Sequence, residues 1–438
     1  MERLLMDDLI AWREDPDKKP LVVQGVRQCG KTYLVEEFGR RYYGDVAHYR
    51  FDKDAKAKEF FEGDLDPKRI IKDLGLARGK AIKPGETLIF FDEIQECGNA
   101  ITSLKYFNED APEYHVVSAG SLLGVAMKKG ASFPVGKVQF LTLYPMNFYE
   151  FLFAQNRVLA EELRNSALGD GIWKDFRAEL LEKYRDYQAI GGMPEAVGIW
   201  LSTQSIEDVE RKHDEILLGY QKDFTKYADT RDYPKISAVW QSIPSQLGRE
   251  NRKFIFSQVK KGWRAKDLED ALVWLINAGL VYKVECIEKP NYPLSAYADH
   301  TYFKLYMADI GLLRRHADLP SSIVFDSSPM YKEFKGAMAE NFVACELKCM
   351  YGKTRSKDLY YWTAEGSAKA EVDFIVQDDV RHIVPIEVKS GTAKRARSLS
   401  EYCKKFGPEK TALTSLDDLS GRNLPLYAFW KFKEWVAG

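Results

Sequence analysis

The 438-residue chain is 45% hydrophobic and 29% charged, which is ordinary for a globular protein and long enough for two to four domains of roughly 100–200 residues. Its 64 Lys and Arg stand against 65 Asp and Glu, a formal net charge of −1. No global field therefore draws it to nucleic acid or to a membrane surface, and any nucleic-acid surface must be a local patch.

Six cysteines (Cys29, Cys97, Cys286, Cys345, Cys349 and Cys403) are scattered without CxxC pairs. That argues against a zinc site and a disulfide framework and makes a reducing cytoplasm the expected compartment. The stretch MERLLMDDLIAWRED carries acids within its apolar run, unlike a secretory signal. No run of about 18 apolar residues is present, so no membrane span is expected.

In chain order, residues 1–19 read as a short amphipathic helix and a Pro- and Lys-containing turn. KPLVVQG follows as an apolar strand ending in glycine. VAHYRFD (46–52), ETLIFFDE (86–93), YHVVSAG (114–120) and VQFLTLYP (138–145) read as further strands, with helical patterns between them. Buried strands alternating with helices predict an α/β core with a parallel sheet covered on both faces. Residues 147–250 read as mostly helical. Residues 253–313 read as helix, helix and two strands, GLVYKVECI and TYFKLYMAD. From about 330 come a helix (EFKGAMAENFVACELKCMY), strands in LYYWTA, EVDFIVQ and HIVPIEVKS, and more helix.

Gly25-Val26-Arg27-Gln28-Cys29-Gly30-Lys31-Thr32 fits G-x-x-x-x-G-K-[ST], after an apolar strand and before the helical TYLVEEFG. Backbone N–H groups of such a loop cradle phosphates, helped by the N-terminus of the next helix. The motif predicts ATP and Mg²⁺ as ligands, with Gly25, Gln28, Cys29, Gly30, Lys31, Thr32 and Tyr33 as nucleotide-binding positions. Lys31 is expected on the β- and γ-phosphates and the Thr32 hydroxyl on Mg²⁺. Cys29 fills the loop as a small hydrophobe or marks it as oxidation-sensitive.

About 60 residues on, Leu88-Ile89-Phe90-Phe91 runs into Asp92 and Glu93. Acids at the C-terminal tip of a buried strand face the ligand crevice of a parallel sheet. Asp92 is expected to hold Mg²⁺ through water and Glu93 to orient the attacking water; the alternative is an ordinary acidic strand end. Ser118 and Ser121, around the end of the next strand, are candidates to sense the γ-phosphate or hold the water, or they belong to a simple turn.

GVRQCGKTYL, LIFFDEIQE, SAGSLLG, FPVGKVQFLTLYPMNFYEFL and GGMPEAV, with the later FKLYMADIGLL, AENFVACEL, EVDFIV and IEVKSG, resemble the bacterial and archaeal AAA-type ATPases that end in a restriction-endonuclease-like domain of unknown function. The resemblance runs over nearly the whole chain. It implies an ATPase core over 1–147, a helical lid over 148–250, a winged-helix-like module over 251–325 and an α/β nuclease-like domain over 326–438. It also implies a ring-like homo-oligomer. Gly191-Gly192-Met193-Pro194 is similar to a lid element whose proline packs on the nucleotide; the other reading is a helix-initiating turn. The family often has arginine in the PVGK-like stretch, where this chain has Lys137. Lysine lacks the bidentate fork, which puts a trans-acting finger there in doubt.

Lys260, Lys261, Arg264 and Lys266 cluster before a helical run and suit phosphate contacts, although Asp267, Glu269 and Asp270 dilute them. Glu340, Asp373, Glu387 and Lys389 form an E…D-(x)₁₃-E-x-K pattern. Strand alternation puts Glu387 and Lys389 on one face, with Asp373 on a neighbouring strand. The set resembles the PD-(D/E)XK nuclease constellation, a possible second metal site; salt bridges between strands are the other reading. Lys394, Arg395, Arg397, Lys404 and Lys405 add a local basic stretch. Two functions remain open: an ATP-dependent motor or translocase on duplex or branched DNA, with or without nuclease activity, and an ATP-dependent regulatory switch with an inactive nuclease-like module.

Overall fold

The computed structural model describes residues 1–120, 134, 136–228, 231–249, 252–326, 332–354, 358–364, 370–378, 382–392 and 396–437. The chain divides into two compact units: Met1–Tyr144 with a short return around Lys353, and the chain from Pro145 onward.

In the first unit, α1 (Leu5–Glu14) precedes β1 (Leu21–Gln24), α2 (Lys31–Tyr42), β2 (Asp45–Arg50), α3 (Ala55–Glu59), α4 (Pro67–Ala77), β3 (Thr87–Asp92), α5 (Gly98–Asp110), β4 (Val116–Gly120) and β5 (Gln139–Thr142). Each of the five strands lies where an apolar run predicts it. They pair in the order β2-β3-β4-β1-β5, all parallel. Every residue of β3 and β4 is buried, as a central parallel strand covered on both faces requires. Phe91 packs on one face against Phe51, Phe61 and Phe107. The register sets Arg50 opposite Asp92 and Gln24 opposite Gly120, so β1, β3 and β4 bring their C-terminal ends to one edge of the sheet.

The second unit opens with helices: α6 (Phe148–Gln155), α7 (Arg157–Asn165), α8 (Gly171–Asp175), α9 (Arg177–Ile190), α10 (Pro194–Thr203), α11 (Ile206–Tyr227) and α12 (Tyr233–Leu247). The first of the two helices expected between 253 and 280 is a single 3-10 turn, Phe256–Gln258; the second is α13 (Ala265–Asn277). Then come β6 (Val281–Ile287), β7 (Ala298–Met307), α14 (Ile310–His316), α15 (Ser321–Asp326), α16 (Lys332–Tyr351), β8 (Leu359–Thr363), β9 (Glu371–Gln377), β10 (Ile383–Val388), α17 (Arg397–Phe406), β11 (Ala412–Ser415), β12 (Asn423–Pro425) and α18 (Phe432–Ala437).

β6 and β7 form an antiparallel pair. They do not close off as a module of their own, because β6 also pairs in parallel with β8. The result is one seven-stranded mixed sheet, β12-β11-β10-β9-β8-β6-β7, which crosses the boundary expected at 325/326. Helix α16 is buried almost all round, with Ala337, Met338, Phe342, Val343 and Leu347 fully inaccessible, the pattern of a helix enclosed by core. Among the described residues no helix is long and apolar enough to cross a membrane.

Candidate functional site

The loop between β1 and α2 is shaped to approach a ligand by its backbone. A Cβ on Gly25 would lie 2.1 Å from the Leu143 carbonyl oxygen, so only glycine fits between loop and β5 exit. Gln28 and Gly30 adopt left-handed backbone (φ 66° and 92°), which turns successive N–H groups inward. Helix α2 starts at Lys31 without a side-chain cap and without an acid in its first turn. Its first N–H groups and positive dipole end thus remain for an anion. Tyr33, on the first turn, is half exposed.

Lys31 is buried, and its ammonium donates to the Gly25 and Val26 carbonyls, both at 2.9 Å. Cys29 is fully buried with Sγ 3.4 Å from Leu143 O, packed as a small hydrophobe. Arg3, which no local pattern marks, donates from Nη1 to Cys29 O at 2.8 Å and ties the loop to the start of the chain.

Thr32 Oγ1 donates to Asp92 Oδ2 at 3.0 Å. The motif and the acidic strand end, 60 residues apart in sequence, thus meet side chain to side chain. Asp92 is 2% exposed. Burial alone would raise its pKa, but His48, the Thr32 hydroxyl and the Glu93 N–H together hold the carboxyl below its ordinary value. His48 on β2 lies 3.6 Å from Asp92 Oδ2 and stacks on Phe90 at 4.5 Å; Arg50 Nε lies 3.9 Å from the same oxygen. Sequence reading missed both, because neither strand order nor register is written locally. Glu93 takes a left-handed backbone (φ 51°), a strained state for a non-glycine residue that costs on the order of 1–3 kcal/mol. Its carboxylate accepts a bond from Gln95 Nε2.

Ser118 corrects an expectation. It lies inside β4 rather than at its tip, is fully buried, and donates to Leu21 O at 3.2 Å, at the far end of β1 from the loop. A one-residue change of phase decides which face a strand side chain takes, and here it is turned into the sheet. Ser121 lies outside the described residues, as do Lys394 and Arg395. Lys137 is paired with Glu109 at 2.8 Å.

Pro194 begins α10 in the second unit, after the Gly191-Gly192 turn. A Cβ on Gly191 would lie 2.3 Å from Asp309 Oδ1, and one on Gly192 would lie 1.9 Å from Met146 O. Gly192 N donates to Asp309 Oδ2 at 2.6 Å, and Met146 N donates to Gly192 O at 2.7 Å. Burial lifts the Asp309 carboxyl to about 6 against the pull of the Gly192, Leu312 and Gly311 N–H groups. Gly192→Ala is therefore expected to lose about 2–3 kcal/mol of stability, by overpacking against rigid backbone; denaturant unfolding measures it, and an unchanged midpoint would refute the clamp.

Of the C-terminal carboxylates, Glu340 and Asp373 share one cation, the Lys304 ammonium. Lys389 Nζ is 2.6 Å from Glu387 Oε1, on the shared face that alternation predicts. Asp373 Oδ2, on β9, accepts from Val388 N at 2.7 Å. Glu340 projects from α16 to Tyr306 Oη at 2.7 Å and to the Arg252 guanidinium. Two charged residues that the pattern did not include, Lys304 and Glu371, stand 2.6 Å apart in the same cluster. Among the described residues no group of three or more His, Cys, Asp or Glu is spaced to hold a metal ion.

Residues 17–152 match an AAA domain family. That match covers most of the first unit and takes in the loop between β1 and α2 and the end of β3. Residues 181–322 and 335–419 match two domains of unknown function, DUF8612 and DUF4143. No curated protein matches the chain. Distant solved likenesses include a Walker-type ATPase of Pyrococcus abyssi (14% identity, 72% of this chain and 95% of that one, TM-score 0.44). Others are the Aeropyrum pernix ORC1 protein in complex with DNA (12%, 73% and 92%, TM-score 0.28) and AMPPCP-bound DnaA from Aquifex aeolicus (14%, 63% and 87%, TM-score 0.28).

Proposed function

We propose that the protein binds ATP with Mg²⁺ and hydrolyses it, and that turnover acts on DNA through the second unit. The observation that carries the first half is the Thr32–Asp92 contact of 3.0 Å beside an uncapped helix N-terminus. Those groups suit a Mg²⁺–phosphate pair: a hydroxyl and a buried carboxylate for the cation, N–H groups and Lys31 for the anion. Mg²⁺, when bound, neutralises charge across the β- and γ-phosphates. Lys31 takes up the remaining phosphate charge, and Glu93 orients the attacking water.

The DNA reading is supported by the turn before α13. Lys260, Lys261 and Arg264 there, and Lys266 in the first turn of α13, are all exposed, and the Lys260 ammonium lies over the Trp263 ring at 4.6 Å. Asp267 accepts from Arg264 N at 2.9 Å and caps the start of α13. A nuclease activity is not part of this proposal, since the carboxylate oxygens it would use already serve internal partners.

ATPase rates with duplex, single-stranded and four-way-junction DNA test the reading. The expected result is at least about tenfold stimulation by one of them, lost when Lys260, Lys261 and Lys266 become Glu and weakened by salt. A slow rate indifferent to DNA would replace the motor by a regulatory switch. We further propose a homo-oligomer completed by ATP. Sizing with a slowly hydrolysed analogue should show growth beyond a monomer, and a monomer in every nucleotide state at micromolar concentration would overturn it.

A further inference from the structure

Lys304 comes from β7, yet its ammonium ends among the acids of α16 and β9. Nζ is 2.6 Å from Glu371 Oε1, 3.5 Å from Glu340 Oε2 and 4.0 Å from Asp373 Oδ1. The side chain is completely buried. The other Glu340 oxygen pairs with the Arg252 guanidinium, and Tyr306 Oη donates to Glu340 Oε2 at 2.7 Å. Asp373 Oδ2 accepts the Val388 N–H at 2.7 Å. Glu387 is spent as well: Lys389 Nζ takes Oε1 at 2.6 Å and Leu399 N–H takes Oε2 at 2.9 Å.

A hard divalent cation needs about six oxygens at roughly 2.0–2.6 Å, with lone pairs aimed at one point. The residues present do not fit one. The space the carboxylates share holds an ammonium, and like charge at that range repels a second cation. We propose that Lys304 is a built-in cation standing where a divalent metal would bind this acidic cluster, so that the C-terminal region is a metal-independent module and not a nuclease.

The charge balance explains why the arrangement holds. Burial by itself would drive a lysine toward its neutral form. Tyr306, Glu371 and Asp373 act in the opposite direction, and the balance keeps Lys304 charged, with its pKa raised. Lys304 and Arg252 together face Glu340, Glu371 and Asp373. Without Lys304, Arg252 alone would oppose three carboxylates, an excess of two negative charges that a divalent cation would cancel. The plug also ties β7 and the Arg252 segment to α16 and β9, across the boundary expected in sequence.

The test is a Mn²⁺ titration of the full-length, nucleotide-free protein, read by loss of the free-ion electron paramagnetic resonance signal. Wild type and Asp373→Asn, whose amide oxygen still accepts the Val388 N–H, should bind the same amount. Lys304→Met should gain about one further Mn²⁺ per chain, at least tenfold tighter than any wild-type binding in the second unit. Adding Asp373→Asn to it should remove that gain. A wild-type Mn²⁺ site abolished by Asp373→Asn would overturn the proposal. So would wild-type DNA cleavage with Mg²⁺ or Mn²⁺ that Glu387→Ala stops, or a folded Lys304→Met that gains no ion. Should Lys304→Met not fold, the comparison of wild type with Asp373→Asn still decides.

Discussion

Lys31→Ala is expected to weaken ATP binding on the order of 100-fold or more, while the first unit stays folded. The loss follows from the geometry. The ammonium is buried at the mouth of the loop, on the Gly25 and Val26 carbonyls. It is thus already desolvated and aimed where β- and γ-phosphates would come. Removing one partner of a buried charge-assisted contact costs about 2–5 kcal/mol, and about 2.7 kcal/mol is a hundredfold in Kd. Stability should change much less, because the two carbonyls left behind lie at the loop and can turn to water. Calorimetric titration of nucleotide together with a thermal melt separates the two effects. A folded variant with undiminished affinity would remove the phosphate assignment.

The first unit was legible because its signals are local. A central parallel strand buried on both faces must be a continuous apolar run, and LIFFD and VVSAG are such runs. The loop glycines and Lys31-Thr32 are a short motif followed at once by the helix it needs. The neighbours of Asp92 were not legible. His48 and Arg50 reach it only because β2 pairs with β3 in one register, and parallel register is set by the whole layer. Ser118 shows the same limit in small: its residue type suits a sensor, but its phase along β4 turns it to Leu21 O.

In the second unit the elements were readable and their assembly was not. TYFKLYM reads as a strand, and it is one; that its lysine meets Glu340, 36 residues on, follows from the packing of α16 against β7. No local pattern announces a cation supplied from another segment. The E…D…E-x-K spacing names residue types only, and those could not tell that the carboxylate oxygens of Asp373 and Glu387 accept from Val388 N, Leu399 N and Lys389.

Glu93→Gln separates binding from chemistry, and its expected result is tight ATP binding with turnover lowered about 100- to 1,000-fold. Glutamine keeps the length and one acceptor oxygen of glutamate. It cannot act as a base or carry the negative charge that polarises water, and general-base contributions are typically 10²–10⁴-fold. The backbone makes the comparison clean. Glu93 is held at φ 51° at the end of β3, and glutamine meets nearly the same steric cost there, so the fold should not respond. The Glu93 carboxylate accepts from Gln95 Nε2, a bond that the glutamine oxygen can still accept. Glu93→Gly should show the other half of the argument. It relieves the strain and so gains about 1 kcal/mol of stability at most, while losing hydrolysis as fully as the glutamine variant. Single-turnover assays with pre-bound ATP give the chemical step, and filter binding gives the retained nucleotide. Rapid hydrolysis by Glu93→Gln would move the base elsewhere. Loss of ATP binding in the same variant would make Glu93 part of the binding site instead of the chemistry.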